Sequence, residues 1–196
     1  VAIKQGTKII ADFAFDGCIS LTSITIPDSV TSIGYSTFYD CTSLTSVTIP
    51  NSVTSIEDYA FADCTSLTSI TIPDSVIRIG NYAFDSCTSL KGIVIPESVT
   101  EIGDKAFGYY YDSAESKYKT VDGFTIYGNQ GSEAERYAKK NGFKFVSIDA
   151  APTMSFPDVR SGDWYYDAVK FNFERGYITG YSNGTFGPAN NIQRQD

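Results

Sequence analysis

The sequence predicts a mainly β solenoid with short helices, joined at its C-terminal end to a second, partial α-helical module. Three observations predict it. Cys18, Cys41, Cys64 and Cys87 stand 23 residues apart. In the same register run Phe15, Phe38, Phe61, Phe84 and Phe107, Leu21, Leu44, Leu67 and Leu90, and Pro27, Pro50, Pro73 and Pro96. Past residue 149 the rhythm and the vocabulary both change. Self-similarity at a fixed short period marks an array of stacked units, each unable to bury its own apolar face.

The repeat reads C-T-S-L-T-S-I-T-I-P-D-S-V-T-S-I-G-x-x-x-F-x-x. Ile24 and Ile26 alternate with Thr25, the period-2 pattern of a half-buried strand rich in β-branched residues. Proline ends that strand because it donates no ladder bond. Gly34, Gly80 and Gly103, with Glu57 in their place once, mark a bend, and the aromatic and cysteine follow on the return path. Stacking coils about 4.8 Å apart would turn Leu21, Ile24, Ile26, Val30, Ile33 and Phe38 into continuous apolar columns. Projected backwards, Val1 and Ile3 take the places of Ile24 and Ile26, so further repeats are expected before Val1. The four cysteines read as disulfide partners or as one column of small buried thiols, and their identical register favours the column.

After Phe107 the period breaks. A strand at Phe124–Ile126 is expected 31 residues after Ile93–Ile95, which implies eight inserted residues. The insertion holds Tyr109, Tyr110, Tyr111 and Tyr118. They read either as a hairpin packed on the last coil or as an aromatic platform for a protein or glycan, since tyrosine offers rigid amphipathic contact area. Ser132 with Glu135 signals a capping box and Asn141-Gly142 a helix stop. Ala134, Tyr137 and Ala138 share one face of that short helix, which suits it to cover the end of the stack, with a final strand from Phe143 to Ile148.

Residues 1–148 thus form the expected solenoid, its cap at about 124–148, residues 149–155 a linker, and residues 156–196 the second module. In the last, Asp163 can cap a helix carrying Trp164, Ala168 and Phe171 on one side, with Gly176 ending it and Asn183-Gly184 as a turn.

Composition excludes several functions. The formal charge is −8 and the pI near 4.5, which argues against nucleic acid or an anionic membrane as partner. No apolar stretch is long enough to insert in a bilayer. The sequence holds no histidine, which removes Ser-His-Asp and Cys-His nucleophiles and imidazole metal sites. With no glycine-rich phosphate loop and no metal-ligand spacing, no catalytic, metal or cofactor site is expected, and the chain does not read as an enzyme.

The repeat resembles the BspA-like class of leucine-rich repeats, which implies a right-handed solenoid and a bacterial surface protein that adheres to host or bacterial proteins or glycans. The exposed ladder beside that role would be Thr25, Thr48 and Thr71 with Ser23, Ser46 and Ser69, closed by Val94. Residues 156–192 resemble the start of an S-layer homology domain: F-P-D-V, then W-Y-Y-D-A-V, then G-Y-I-T-G-Y-S-N-G-T-F-G-P. The family's next signature is T-R-A-E, and Gln193-Arg194-Gln195-Asp196 keeps only the arginine. The resemblance implies non-covalent binding to secondary cell-wall polymer, with Trp164, Gly184, Thr185 and Arg194 at matching positions, and hence a secreted, wall-associated protein. A rod-like spacer displaying another domain is the alternative that the monotony of the Ser–Thr rows favours.

Overall fold

The computed structural model describes residues 1–149 together with Val159 and Val169. It is a β-solenoid in which each 23-residue coil contributes one strand to each of two parallel faces. The first face carries β1 (Ile9–Ile10), β3 (Ser32–Ile33), β5 (Ser55–Ile56), β7 (Arg78–Ile79) and β9 (Glu101–Ile102), in that order. The second carries β2 (Ser23–Thr25), β4 (Ser46–Thr48) and β6 (Ser69–Thr71), followed by β8 (Gly92–Val94) in a separate ladder. A hairpin of β10 (Tyr109–Asp112) and β11 (Lys117–Thr120) interrupts the coil. Then β12 (Thr125–Gly128) pairs with β8, α1 spans Glu133–Asn141, and β13 (Lys144–Ser147) closes the edge. The chain divides into two compact units, Val1–Ser147 and Ile148–Asp196. In the second, Val159 and Val169 are buried.

The register is in step with the repeat: Ile24 lies beside Val47 and Val47 beside Ile70, while Ile33, Ile56, Ile79 and Ile102 line up on the other face. The expected apolar columns therefore form. Phe38, Phe61, Phe84 and Phe107 are buried and stack ring on ring, with centroids 4.9–5.1 Å apart. The cysteines are free thiols in a column. Cys41, Cys64 and Cys87 each donate from Sγ to the carbonyl of the phenylalanine 26 residues earlier, at 3.1–3.2 Å. Burial pushes the Cys41 thiol up to about 11 and holds those of Cys64 and Cys87 well above the ordinary thiol range too, so none of the three is poised as a nucleophile.

Backbone pairing between coils explains the glycines at the bend. A Cβ at Gly34, Gly80 or Gly103 would run into the coil before, against Asp12, Asp58 and Asn81. Those three side chains each accept a backbone N–H from the next coil at 2.8 Å, pulling the turns together. Glu57 lies above Tyr35, which offers no such acceptor. Its N–H reaches the carbonyl of Ile33 at 3.4 Å, whereas Gly80 and Gly103 make the equivalent bonds at 2.8 Å. The looser turn has room for a side chain. We expect Gly80→Ala to cost about 1–3 kcal/mol through overpacking, while Glu57→Ala costs less, losing the partly exposed ion pair to Arg78 and the hydrogen bond from the Ser55 hydroxyl, about 1 kcal/mol together. Urea denaturation of the two variants measures the difference.

The insertion is longer than the sequence pattern implies. Ile126 pairs with Ile93, 33 residues earlier, so ten residues are inserted rather than eight. Phe124 is buried but packs edge-on against Phe143 of the cap, 5.4 Å away, and Ile126 takes the column position. A two-residue slip leaves the same strand face buried, so alternation alone cannot tell the registers apart.

The helix forms where its caps place it. Ser132 Oγ accepts the Glu135 N–H at 3.5 Å, and the Glu135 carboxylate reaches back to Gly131 N–H rather than to that of Ser132. Gly142, at φ 72°, turns the chain out of the helix. Inside, Tyr137 seals the solenoid: its ring meets Phe107 edge-on, and its hydroxyl donates to the Phe107 carbonyl (3.1 Å) and accepts the Phe107 N–H (3.0 Å). In earlier coils the equivalent phenylalanine N–H bonds to the next coil's carbonyl, as Phe61 does to Ala83 and Phe84 to Ala106. One side-chain hydroxyl thus replaces a missing coil. Tyr137→Phe orphans both buried backbone groups and is expected to cost about 1–3 kcal/mol, read as a fall in the thermal midpoint.

Candidate functional site

Two strips face outward along the solenoid, the second exposed at Phe13, Tyr35, Tyr111 and Tyr118 and half-buried at Tyr59 and Tyr82. The first is the ladder of β2, β4 and β6. Thr25, Thr48 and Thr71 are exposed and paired in register, as are Ser23, Ser46 and Ser69. Their alternation with buried Ile24 and Val47 follows from the pleat, which sends successive side chains to opposite faces. Val94 continues the row, Tyr127 of β12 lies beside it, and half-buried Val146 of β13 closes it. Thr45 and Thr68 next to this row are structural: each hydroxyl donates to the carbonyl of the coil before.

The second strip begins at the hairpin, where the four tyrosines separate into two pairs. Tyr109 is partly buried, its hydroxyl donating to Asn141 Oδ1 at 3.0 Å and its ring edge-on to Phe143. Tyr110 packs against the core. Tyr109 thus ties the hairpin to the cap, and Tyr110 ties it to the core. Tyr111 and Tyr118 stay exposed and meet edge-on at 5.4 Å. A cluster of Lys119 with Asp112 and Glu115 holds the hairpin's tip.

Tyr118 does not end there. It contacts Tyr82 at 5.8 Å, Tyr82 stacks on Tyr59 at 5.0 Å, Tyr59 meets Tyr35 at 5.6 Å, and Tyr35 meets Phe13 at 5.3 Å. Lys105 lies at this strip's last coil, its ammonium 5.5 Å from the Tyr82 ring centre and 5.2 Å from that of Tyr118. Sequence reasoning missed Phe13, Tyr35, Tyr59 and Tyr82. They fall in the variable x-x-x segment of the repeat, and Tyr35 sits one residue out of register with the others, so no column announced itself.

Beneath this strip lies Asp85. It is 6% exposed, with Oδ2 accepting from the Ser86 hydroxyl at 3.3 Å and Oδ1 without a hydrogen bond. Burial first, then the nearby Asp63 carboxylate, push its carboxyl up to about 6, against the opposing pull of Ser86 and Lys105. The folded protein therefore binds this proton more tightly than the unfolded chain, and the ionised form destabilises the fold. Asp85→Asn is expected to stabilise by about 2–3 kcal/mol above pH 7. That gain should fade between pH 6 and pH 4, where the wild-type side chain becomes neutral too. Thermal melts across that range measure it.

The expected polymer-binding residues Trp164, Gly184, Thr185 and Arg194 lie outside the described residues. Among the described residues, no helix is long and apolar enough to cross a membrane.

Comparison with known proteins agrees with this architecture. Residues 1–118 match the BspA type leucine-rich repeat region in six copies, and residues 155–196 match the S-layer homology domain. A segment of 49 residues, 25% of this chain, is 43% identical to an S-layer protein of Bacillus licheniformis and equally to S-layer protein EA1 of Bacillus anthracis. The match spans 6% of the length of each. Among solved structures, the T. pallidum leucine-rich repeat protein superposes with a TM-score of 0.54 at 32% identity, covering 65% of this chain and 57% of that one. A leucine-rich repeat protein from Bacteroides ovatus gives 0.56 at 26% identity, covering 76% and 33%. A leucine-rich cell surface protein from Faecalibacterium prausnitzii gives 0.50 at 33% identity, covering 59% and 33%. With more than half of its length matched by the repeat model, this chain belongs to the BspA type leucine-rich repeat family.

Proposed function

We propose that this chain is the wall-proximal part of a bacterial surface protein, held non-covalently to secondary cell-wall polymer and presenting its repeats outward to bind other molecules. The observation that carries the reading is the junction itself: a repeat solenoid followed directly by an S-layer homology segment at residues 155–196. The combination of the two modules suggests a surface protein with cell-wall anchoring. The likeness of 49 residues to two Bacillus S-layer proteins supports the same placement.

The polymer-binding step rests on Trp164, Gly184, Thr185 and Arg194. A planar guanidinium suits a carboxylated sugar because its fork engages a carboxylate through two parallel bonds. The outward-binding step rests on the solenoid, where extended repeat surfaces offer broad, shallow contact. The uniform Ser and Thr rows of β2, β4 and β6 favour a second reading, in which the array is a spacer displaying another domain.

Purified cell-wall sacculi test the anchor. The full chain is expected to co-sediment with sacculi, and the same protein lacking residues 156–196 to do so less than about a tenth as much. Equal sedimentation of both, or none of either, overturns the anchoring role.

A further inference from the structure

The tyrosine strip has the chemistry of a docking site, and its own last coil shows what it accepts. Phe13, Tyr59, Tyr82 and Lys105 occupy one repeat position, and all four have left-handed backbone, with φ between 48° and 60°. Glycine, asparagine and aspartate are the residues that adopt this conformation readily; aromatic residues do so at a cost of about 1 kcal/mol or more. In the second coil the left-handed residue is Ser36, and the ring comes from its neighbour Tyr35. Rings are therefore kept in line despite the backbone penalty. At the position where the next ring would stand, the protein places an ammonium instead, between Tyr82 and Tyr118 and within cation–π range of both.

The surroundings are acidic. Asp16, Asp40 and Asp63 act together on exposed Tyr39, whose hydroxyl burial and these carboxylates push up to about 12. Asp58 and Asp85 act on Tyr59, and Asp85 again on Tyr118. The cations nearby are already engaged, Arg78 by Glu57, Asp58 and Glu101, and Lys105 by Asp104. Five ring-to-ring steps of 5.0–5.8 Å lead from Phe13 to Tyr111. They match the length of about eight residues of extended chain.

We propose that the strip from Phe13 through Tyr35, Tyr59 and Tyr82 to Tyr118 and Tyr111 docks an extended, lysine- or arginine-bearing segment of a partner protein, each cation seated on the rings as Lys105 is. This rests on the outward-binding half of the proposed function and names the partner's chemistry. Rings set edge-on or stacked on one another offer no continuous flat platform for a sugar chain, whereas a small cation fits between neighbouring rings, as Lys105 does between Tyr82 and Tyr118, and the nearby carboxylates suit ammonium and guanidinium groups.

The probe is a twelve-residue peptide alternating lysine and serine, titrated against the full chain, with the glutamate–serine peptide and a neutral glucose oligosaccharide as comparisons. Binding of the lysine peptide at least tenfold tighter than either is expected, weakening as salt screens the carboxylates. Tyr35→Ser with Tyr118→Ser should weaken it at least tenfold, and Tyr35→Phe with Tyr118→Phe should restore most of it. Lys105→Ser vacates a seat that Ser36 shows a serine can fill, and should tighten binding about three- to tenfold. Circular dichroism verifies that each variant is folded. Absent or charge-independent binding, preference for the oligosaccharide, or indifference to both the ring variants and Lys105→Ser overturns the proposal. Sedimentation of the same proteins with sacculi reads the anchor separately, so either idea can fail alone.

Discussion

Every coil of this protein depends on its neighbours to satisfy its backbone. Within one coil the strands are two or three residues long and cannot pair with each other. Strand residues pair with the adjacent coil, and so do the turns between strands, where the Phe38 N–H finds the Ala60 carbonyl and the Asp40 N–H that of Ala62. Since an unpaired buried backbone group costs about as much as a lost hydrogen bond, no coil is stable alone, and the apolar columns form as a consequence of stacking rather than as its independent cause. Sulfur and hydroxyl groups join the same system. The thiols of Cys41, Cys64 and Cys87 and the hydroxyls of Ser75 and Ser98 all donate to carbonyls of the coil before.

This constraint concentrates the chemistry at places where the stack is interrupted or left outward-facing. At the C-terminal end, the hydroxyl of Tyr137 takes over the bonds a further coil would make, and β12 and β13 extend the sheet beyond β8. The hairpin emerges at the same level, placing Tyr111 and Tyr118 in line with rings that the coils had already aligned. A repeat lattice therefore turns a local insertion into the end of a long surface feature. Asp85 belongs to that region as well, a carboxyl kept under-bonded beneath an aromatic strip.

Outward positions differ in what they can recognise. The Ser–Thr rows are chemically uniform along β2, β4 and β6, so they distinguish one register from another poorly. The aromatic strip is graded: Phe13 at one end, Lys105 near the other, and carboxylates of differing burial alongside. Graded surfaces carry specificity because a partner slipped by one coil meets different groups. That contrast is the physical reason for assigning recognition to the rings and strand formation to the hydroxyls.

The sequence alone determined the repeat, its strand, the buried columns and the capping helix, because each leaves a local mark: an apolar residue every 23 positions, an alternating triplet, Ser132 before the helix and Gly142 after it. It also placed Tyr109, Tyr110, Tyr111 and Tyr118 in the insertion, without separating packed rings from exposed ones. The tertiary structure alone decided three matters. It set the β12 register, since a slip of two keeps the same face inward. It tied Tyr109 to the cap through Asn141 and Phe143, up to 34 residues distant in the chain, and packed Tyr110 against the core. It joined Tyr35 to Tyr59 and Tyr82 in one strip although Tyr35 stands one residue off their shared repeat position, and it brought Tyr118 of the hairpin into the same line, because adjacency between coils is a property of the stack and not only of spacing along the chain.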